Sequence, residues 1–336
     1  MGEFDKRSAA PTSFEEVRPM VRPTGVQNGI VEADPEKCTG CGVCLQNCPF
    51  RCLELDANDN PTMKHDCICF SCANCTVACP EQALSLVRAF RVSGGFFDTD
   101  FPPVKMPREP LDAFGKPASW TEVERLILER RSVRNFAKTP IPEPLLRRVL
   151  EAGRFAPSGG NHQPWKFTVV TDPEFLQVLE TAVQAVWEGM HAAFADDAAV
   201  MNLVGQVPTG VFDPRVQYGI GCIARKDLPV FFKAPAVIFL ACNQKMAIPE
   251  MEAGICGENM NLAAMALGLG CAWSNFGAGV NFIPELKAKL GFGEDWTVET
   301  SLCLGYPKFK QQGMVPRHYR PVMWFRAGSQ GPETEE

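Results

Sequence analysis

Long apolar runs are missing from this sequence. None reaches 18 residues, so no segment is long enough to read as a membrane-spanning helix. The opening stretch MGEFDKRSAAPTSFEEV lacks the apolar segment that a secretory leader needs, and a cytoplasmic location is the expectation. Excess positive charge is missing too. The 33 Lys and Arg stand against 39 Asp and Glu, a net charge of -6 with a pI near 5.5. That balance removes the electrostatic reason to expect nucleic-acid binding. Low-complexity tracts are absent, and histidine is scarce at four residues. What remains is a globular composition, 46% hydrophobic and 21% charged, in a 336-residue chain long enough for two cores.

Cysteine, by contrast, is plentiful, with 15 residues. Eight fall in two runs of the form C-x2-C-x2-C-x3-C-P. CTGCGVCLQNCP sets Cys38, Cys41, Cys44 and Cys48 before Pro49; CFSCANCTVACP sets Cys69, Cys72, Cys75 and Cys79 before Pro80. Such spacing suits a metal cluster better than a disulfide framework and points to a reducing cytosol, in a setting with little oxygen. Three thiolates at every third position can curl around a cube of iron and sulfide, whereas zinc favours two paired C-x2-C units. The other seven, Cys52, Cys67, Cys222, Cys242, Cys256, Cys271 and Cys303, stand among mostly apolar neighbours and read as small core side chains.

The doubled run resembles the two-cluster bacterial ferredoxins over residues 30–90. That resemblance implies two [4Fe-4S] clusters with crossed ligation: Cys38, Cys41, Cys44 and Cys79 hold one, and Cys69, Cys72, Cys75 and Cys48 the other. Between the runs, RCLELDANDNPTMKHDC reads as strand, Asn/Asp turn, strand. Over residues 31–90, eight acidic residues oppose four basic ones, which is either an ordinary solvated surface or a docking face for an electron donor.

Residues 1–30 read as a proline-punctuated arm, 31–90 as the ferredoxin domain and 91–117 as a Gly/Pro-rich linker. Phe90, Phe96, Phe97 and Phe101 imply that this connector lies along a surface. A second domain spans 118–326, followed by a tail, 327–336. In it, TEVERLILERRS opens a helix with a Thr121–Glu124 capping box and an apolar stripe of Val123, Leu126 and Ile127. A proline-started helix follows, with Leu145, Leu146, Val149 and Leu150 on one face. Strands are expected at 166–171, 236–242 and 300–306, and a long helix over about 250–269 whose Gly254 and Gly257 suit close packing. The fold class is α+β, a layered arrangement of helices and a few strands.

Two short stretches carry chemistry. ERRSVRNF gathers Arg130, Arg131, Ser132 and Arg134 at a helix end, where forked guanidinium donors suit a phosphate or simply complement the helix dipole. APSGGNHQPWKF offers a glycine turn with free N–H groups beside the amides of Asn161 and Gln163, which suits a flat heterocycle with carbonyl and ring-nitrogen edges. GLGCAW lacks the third glycine of a dinucleotide fingerprint and sits at a helix end.

Together, R-x-S-x-R-x-F and P-S-x-x-N-x-Q-P-W, with the later GLGCAWSNFG and GYPKFKQQGMVPRHYR, resemble the nitroreductase-like FMN flavoproteins over 118–326. The expected architecture is thus an N-terminal ferredoxin-like two-cluster domain followed by a nitroreductase-like α+β FMN domain. The resemblance implies that Arg130, Arg131, Ser132 and Arg134 hold the phosphate and ribityl chain of FMN, with Arg317 closing on the phosphate. Pro157, Ser158, Gly159, Asn161 and Gln163 correspond to a loop that reaches the flavin from a partner subunit, and a homodimer follows. Ser274, Asn275, Phe276 and Gly277 are placed beside the isoalloxazine. Gly159-Gly160 departs from the more usual serine-containing turn, and His162 in the same loop is a candidate proton donor.

The segment 187–233 falls where this family varies its lid. Trp187, Phe194, Phe212 and Tyr218 line an aromatic pocket there or pack in the core. The implied activity passes electrons from the clusters to FMN and on to a small acceptor: a nitro compound, quinone or activated alkene. The donor would be a soluble ferredoxin or an NAD(P)H-dependent one. An electron-transfer role toward a protein partner and unusual oxidative or flavin-degrading chemistry both remain open.

Overall fold

A computed structural model describes residues 13–94 and 101–335, apart from 205, 208 and 247. The first twelve residues of the arm, and Phe96 and Phe97 of the linker, lie outside the described residues.

The cysteine-rich unit is a pseudo-repeat of short helices and two-stranded ribbons. Strand Ile30–Ala33 pairs antiparallel with Leu84–Arg88, and Leu53–Leu55 with Pro61–Met63 across the Asn/Asp turn. The helix Phe14–Val21 (α1) precedes this unit. Each cassette then forms one short helix, Val43–Asn47 (α2) and Asn74–Ala78 (α3). The linker does not begin as an irregular coil. Arg91–Ser93 pairs with Gly25–Gln27 of the arm, and Val104–Lys105 pairs with Arg317–His318 near the far end of the chain.

The larger unit is organised by an antiparallel sheet of β1 (Trp165–Val170), β2 (Ala236–Asn243), β3 (Gly270–Ser274) and β4 (Trp296–Gly305), in the order β3-β4-β2-β1. Its antiparallel pairing agrees with the α+β expectation. Alternate residues of a strand face opposite sides. In β2, Val237, Phe239 and Ala241 enter one apolar layer, and Ala236, Ile238, Leu240 and Cys242 enter the other. All seven are fully buried, which explains why this strand is written as a continuous apolar run.

Helix Glu122–Glu129 (α4) opens this unit, followed by Glu143–Arg154 (α5), Pro173–Ala195 (α6), Asp197–Leu203 (α7), Pro214–Ala224 (α8) and Pro249–Ala266 (α9). Leu179 and Val183 of α6 with Cys222 and Ile223 of α8 cover one face; Leu146 and Val149 of α5 with Cys256 and Met260 of α9 cover the other. Cys222, Cys242, Cys256, Cys271 and Cys303 are all buried in these layers, as small core side chains.

Packing decides two points that the sequence pattern leaves open. The Thr121–Glu124 capping box forms, yet the α4 stripe does not pack inside the chain: Val123 is 66% and Ile127 51% exposed. Periodicity marks the apolar side of a helix but does not supply the surface that covers it. Of the two readings for the 187–233 aromatics, core packing is the one observed, with Trp187 and Tyr218 against the main core. Phe194 and Phe212 join Val17 and Val21 of α1 in a separate small core. Arg22 ties the same region down, donating to the Phe194 carbonyl at 2.8 Å and pairing with Asp197 at 2.9 Å.

The two glycines of α9 are not equivalent. A Cβ at Gly257 would stand 2.4 Å from the Trp273 ring, whereas one at Gly254 would meet nothing within 4 Å. Gly257→Ala is therefore expected to cost about 1–3 kcal/mol through overpacking. Gly254→Ala should be neutral or stabilising by up to about 1 kcal/mol, the helix-propensity difference. Thermal melts of the two variants separate these outcomes.

Candidate functional site

Each cassette lends three cysteines to one hollow and its fourth to the other. Cys38, Cys41, Cys44 and Cys79 line a hollow with Gly40, Gly42, Pro61 and Glu81. Cys48, Cys69, Cys72 and Cys75 line a second with Val31, Phe50 and Phe70. Local backbone produces this exchange. α2 and α3 follow left-handed residues, Gly42 at φ +67° and Ala73 at φ +55°, which curl the first two cysteines of each run around the third. Cys48 and Cys79 close the helices in extended conformation, ahead of a proline that cannot continue them.

The repeat extends to hydrogen bonding. The Cys52 N–H donates to Cys48 Sγ and the Ala83 N–H to Cys79 Sγ, each at 3.3 Å and each four residues on. A hydrogen bond with the Cys52 side chain, aided by that residue's N–H, holds the Cys48 thiol down to about 6, while burial pushes Cys44 and Cys69 up to about 11. Among the described residues, no three His, Cys, Asp or Glu side chains converge as a single bound metal ion would require.

The second feature is a crowd of guanidinium groups. Beyond the end of α4 the chain turns extended, and the Val133 N–H donates to the Cys271 carbonyl at 3.0 Å, pinning 130–134 beside β3. Arg130 Nε meets Glu258 Oε1 of α9 at 2.8 Å. Arg131 is only 7% exposed; its Nη2 donates to the Gly313 carbonyl at 2.7 Å, but its buried Nε has no partner. Burial, Arg317 and Arg130 together push Arg131 down to about 10, still well above neutral pH. Arg317 is lowered by desolvation and then by Arg130. Arg134 lies over the Phe232 ring at 5.5 Å and is lowered by burial. Such an arrangement fits a phosphate, whose oxygens would supply the missing acceptor and relieve the repulsion.

The glycine-turn loop lies elsewhere on the chain. The Gly159 N–H donates to Glu252 Oε1 of α9 at 2.6 Å, and the Gln163 N–H to Ser158 Oγ at 2.9 Å. Gly160, Asn161 and Gln163 all have positive φ, a strained set for a loop this short. Pro157, Gly159, Asn161, His162 and Gln163 are exposed. No hydrogen bond or ion pair among the described residues joins them to the arginines. Glu252 anchors the loop and Glu258 anchors Arg130; those positions are about 9 Å apart along one helix.

Of the segment after β3, the Ser274 hydroxyl is already committed, donating to the Val230 carbonyl at 2.6 Å. Thr300 Oγ1 donates to Asn275 Oδ1 at 2.8 Å, and Trp187 Nε1 donates to the Phe276 carbonyl at 2.8 Å while its ring meets Phe276 edge-on at 5.5 Å. Gly277 is enforced by packing, since a Cβ there would fall 2.2 Å from Ser301 Oγ.

Residues absent from the sequence reading join the two units. Asn47 and Asn74, both buried, form a relay: Asn47 Nδ2 donates to the Asn74 carbonyl at 2.8 Å, and Asn74 Nδ2 to the Ser132 carbonyl at 3.4 Å. Gln311 Nε2 donates to Asn47 Oδ1 at 3.1 Å, and Asn135 Nδ2 to the Gln46 carbonyl at 2.8 Å. Beside this relay, Tyr218 of α8 packs on Phe50 and Phe70, with centroids 5.9 and 5.8 Å away. An amide at the buried end of each cassette helix was the available signal.

Comparison with known proteins follows this geometry. The chain is 25% identical over 205 residues to a nitrobenzene nitroreductase of Ectopseudomonas oleovorans, covering 55% of this chain and 86% of that one. It is 26% identical over 228 residues to a 5,6-dimethylbenzimidazole synthase of Rhodospirillum rubrum, covering 64% and 88%. A crystal structure of a nitroreductase with bound FMN from Bacteroides fragilis superposes with a TM-score of 0.45 at 25% identity, covering 62% of this chain and 97% of that one. A 4Fe-4S binding domain matches residues 29–50, and the nitroreductase family matches 127–306. On that second match, which takes in just over half the chain, the protein belongs to the nitroreductase family of FMN-dependent oxidoreductases, with a 4Fe-4S binding domain placed ahead of the family fold.

Proposed function

We propose that this protein is an iron–sulfur flavoprotein in which two [4Fe-4S] clusters supply electrons to FMN for reduction of a small organic acceptor, a nitro compound, quinone or activated alkene. The observation that carries the reading is the buried, unpartnered Arg131 Nε within a crowd of guanidinium groups, directly across the domain junction from a four-cysteine hollow. When bound, the clusters carry single electrons and FMN passes them on as a hydride.

The chain's own residues have distinct tasks. Arg130, Arg131, Arg134 and Arg317 neutralise the phosphate, and the Ser132 hydroxyl serves the ribityl chain. With the Ser274 side chain committed to Val230 and Asn275 Oδ1 accepting from Thr300, the Asn275 amide N–H and backbone N–H groups over 275–277 are donors that can serve the flavin ring. Pro157, Ser158, Gly159, Asn161 and Gln163 serve the flavin of a partner subunit. Support for a homodimer comes from the exposure of that loop and of Val123, Ile127, Phe155 and Met251, which lie on or beside α4, α5 and α9, helices that meet. His162, exposed in the loop, is the candidate proton donor in this reading. A soluble ferredoxin or an NAD(P)H-dependent protein is the electron donor in this reading.

Three outcomes check this reading. Protein purified without oxygen should carry about eight irons per chain, two four-iron clusters; four or fewer in fully loaded protein contradicts the two-cluster assignment. Arg134→Ala should weaken FMN affinity at least about tenfold, the loss of one charge-assisted contact, with iron content intact. Unchanged affinity in equilibrium dialysis would remove the phosphate site. Cys79→Ser should damage the cluster of Cys38, Cys41 and Cys44, detected as loss of one of two paramagnetic signals. Loss of the cluster of Cys69, Cys72 and Cys75 instead would overturn the crossed ligation.

A further inference from the structure

We propose that the hollow of Cys48, Cys69, Cys72 and Cys75 is the flavin-side electron station, and that of Cys38, Cys41, Cys44 and Cys79 the outer one, with Asn74 and Arg134 forming the link. The inference rests on the function proposed above and assigns an order that the doubled motif, being symmetric, does not contain.

Three observations set the order. Asn74, between Cys72 and Cys75, donates its amide to the carbonyl of Ser132, inside the arginine segment. Cys72 and Cys48 both act electrostatically on Arg134, and Cys72 also acts on Arg317. The Gln312 N–H donates to the Val77 carbonyl of α3 at 2.9 Å, next to Gly313, whose carbonyl holds Arg131. The surroundings differ in the same sense. Each hollow keeps one exposed cysteine, Cys72 in this one and Cys41 in the other, so the contrast lies in what surrounds them. Phe50 and Phe70, packed under Tyr218, line the Cys72 hollow. The other hollow has Cys41 and Glu81 exposed on its rim.

The consequence is directional. Cluster potentials depend on net charge, hydrogen bonding and solvent exposure. Arg134, whose Nη1 shares the Ser132 carbonyl with the Asn74 amide, favours the extra electron at the station beside it. A carboxylate beside the other disfavours it. Electrons therefore run downhill from the exposed station to the one beside the phosphate site, and Asn74 fixes the spacing between cassette and flavin segment.

The test is a redox titration of the intact protein followed by electron paramagnetic resonance, with excess FMN present throughout. Arg134→Gln should lower the midpoint of one cluster and leave the other unmoved. Glu81→Lys should raise the midpoint of the other. Cys41→Ser should abolish the Glu81-sensitive signal and spare the Arg134-sensitive one. If both charge substitutions move the same cluster, if Arg134→Gln moves both equally, or if Cys41→Ser removes only the Arg134-sensitive signal, the order is wrong. Should the cysteine variant fail to fold, the two charge substitutions decide by themselves. Iron and FMN assayed on the same wild-type samples separate the two levels: a full load with the wrong shifts overturns only the order, whereas missing FMN or half the iron overturns the function as well.

Discussion

Like charges gathered in a poorly solvated place are the constraint on which the rest of this molecule turns. Arg130, Arg131 and Arg317 repel one another where the cysteine-rich unit meets the sheet unit, Arg134 lies desolvated in the same segment, and Glu258 pairs with Arg130. Held without an anion, that arrangement is unfavourable: a buried guanidinium loses hydration and gains repulsion. The architecture nevertheless commits much to maintaining it. The Val133–Cys271 hydrogen bond fixes the segment to β3, α9 supplies Glu258, and a strand pair brings Arg317 back from the far end of the chain. Strain of this kind persists where a ligand relieves it.

The cysteine unit is built against the same spot. Its contribution to the junction is polar and directional, a chain of amides from Gln311 through Asn47 and Asn74 to Ser132. Beside it the contact is apolar, through Phe50, Phe70 and Tyr218. Amides fix distance and orientation, while aromatic rings exclude water from the hollow next to them. The combination sets the hollow lined by Phe50 and Phe70 beside this junction.

Much of this was legible because it is local. Metal-cluster spacing depends on a few consecutive backbone angles, so both cassettes could be read from twelve residues each, and the paired N–H contacts at Cys52 and Ala83 show how closely the halves repeat. The Thr121–Glu124 box and three of the four strands of the main sheet are likewise short-range features, their observed bounds within a few residues of expectation, whereas the strand Gly270–Ser274 was not read from the sequence. What escaped notice was long-range. Glu252 accepts from Gly159 across 93 positions, and Asn74 reaches Ser132 across 58. Neither partner carries a local signature. The exposed α4 stripe and the Phe194–Phe212 core under α1 show the same limit: periodicity identifies an apolar face, and tertiary contact decides what lies on it.

The central claim is that electrons stored in the cysteine unit leave through the flavin. It is tested most directly by reducing the holoprotein fully without oxygen, mixing it with excess nitroaromatic acceptor, and following cluster and flavin absorbance together. Electron flow from clusters to flavin predicts that both reoxidise in a common phase, releasing about four electrons per chain, one from each cluster and two from FMN. Flavin that reoxidises while both clusters stay reduced would contradict it.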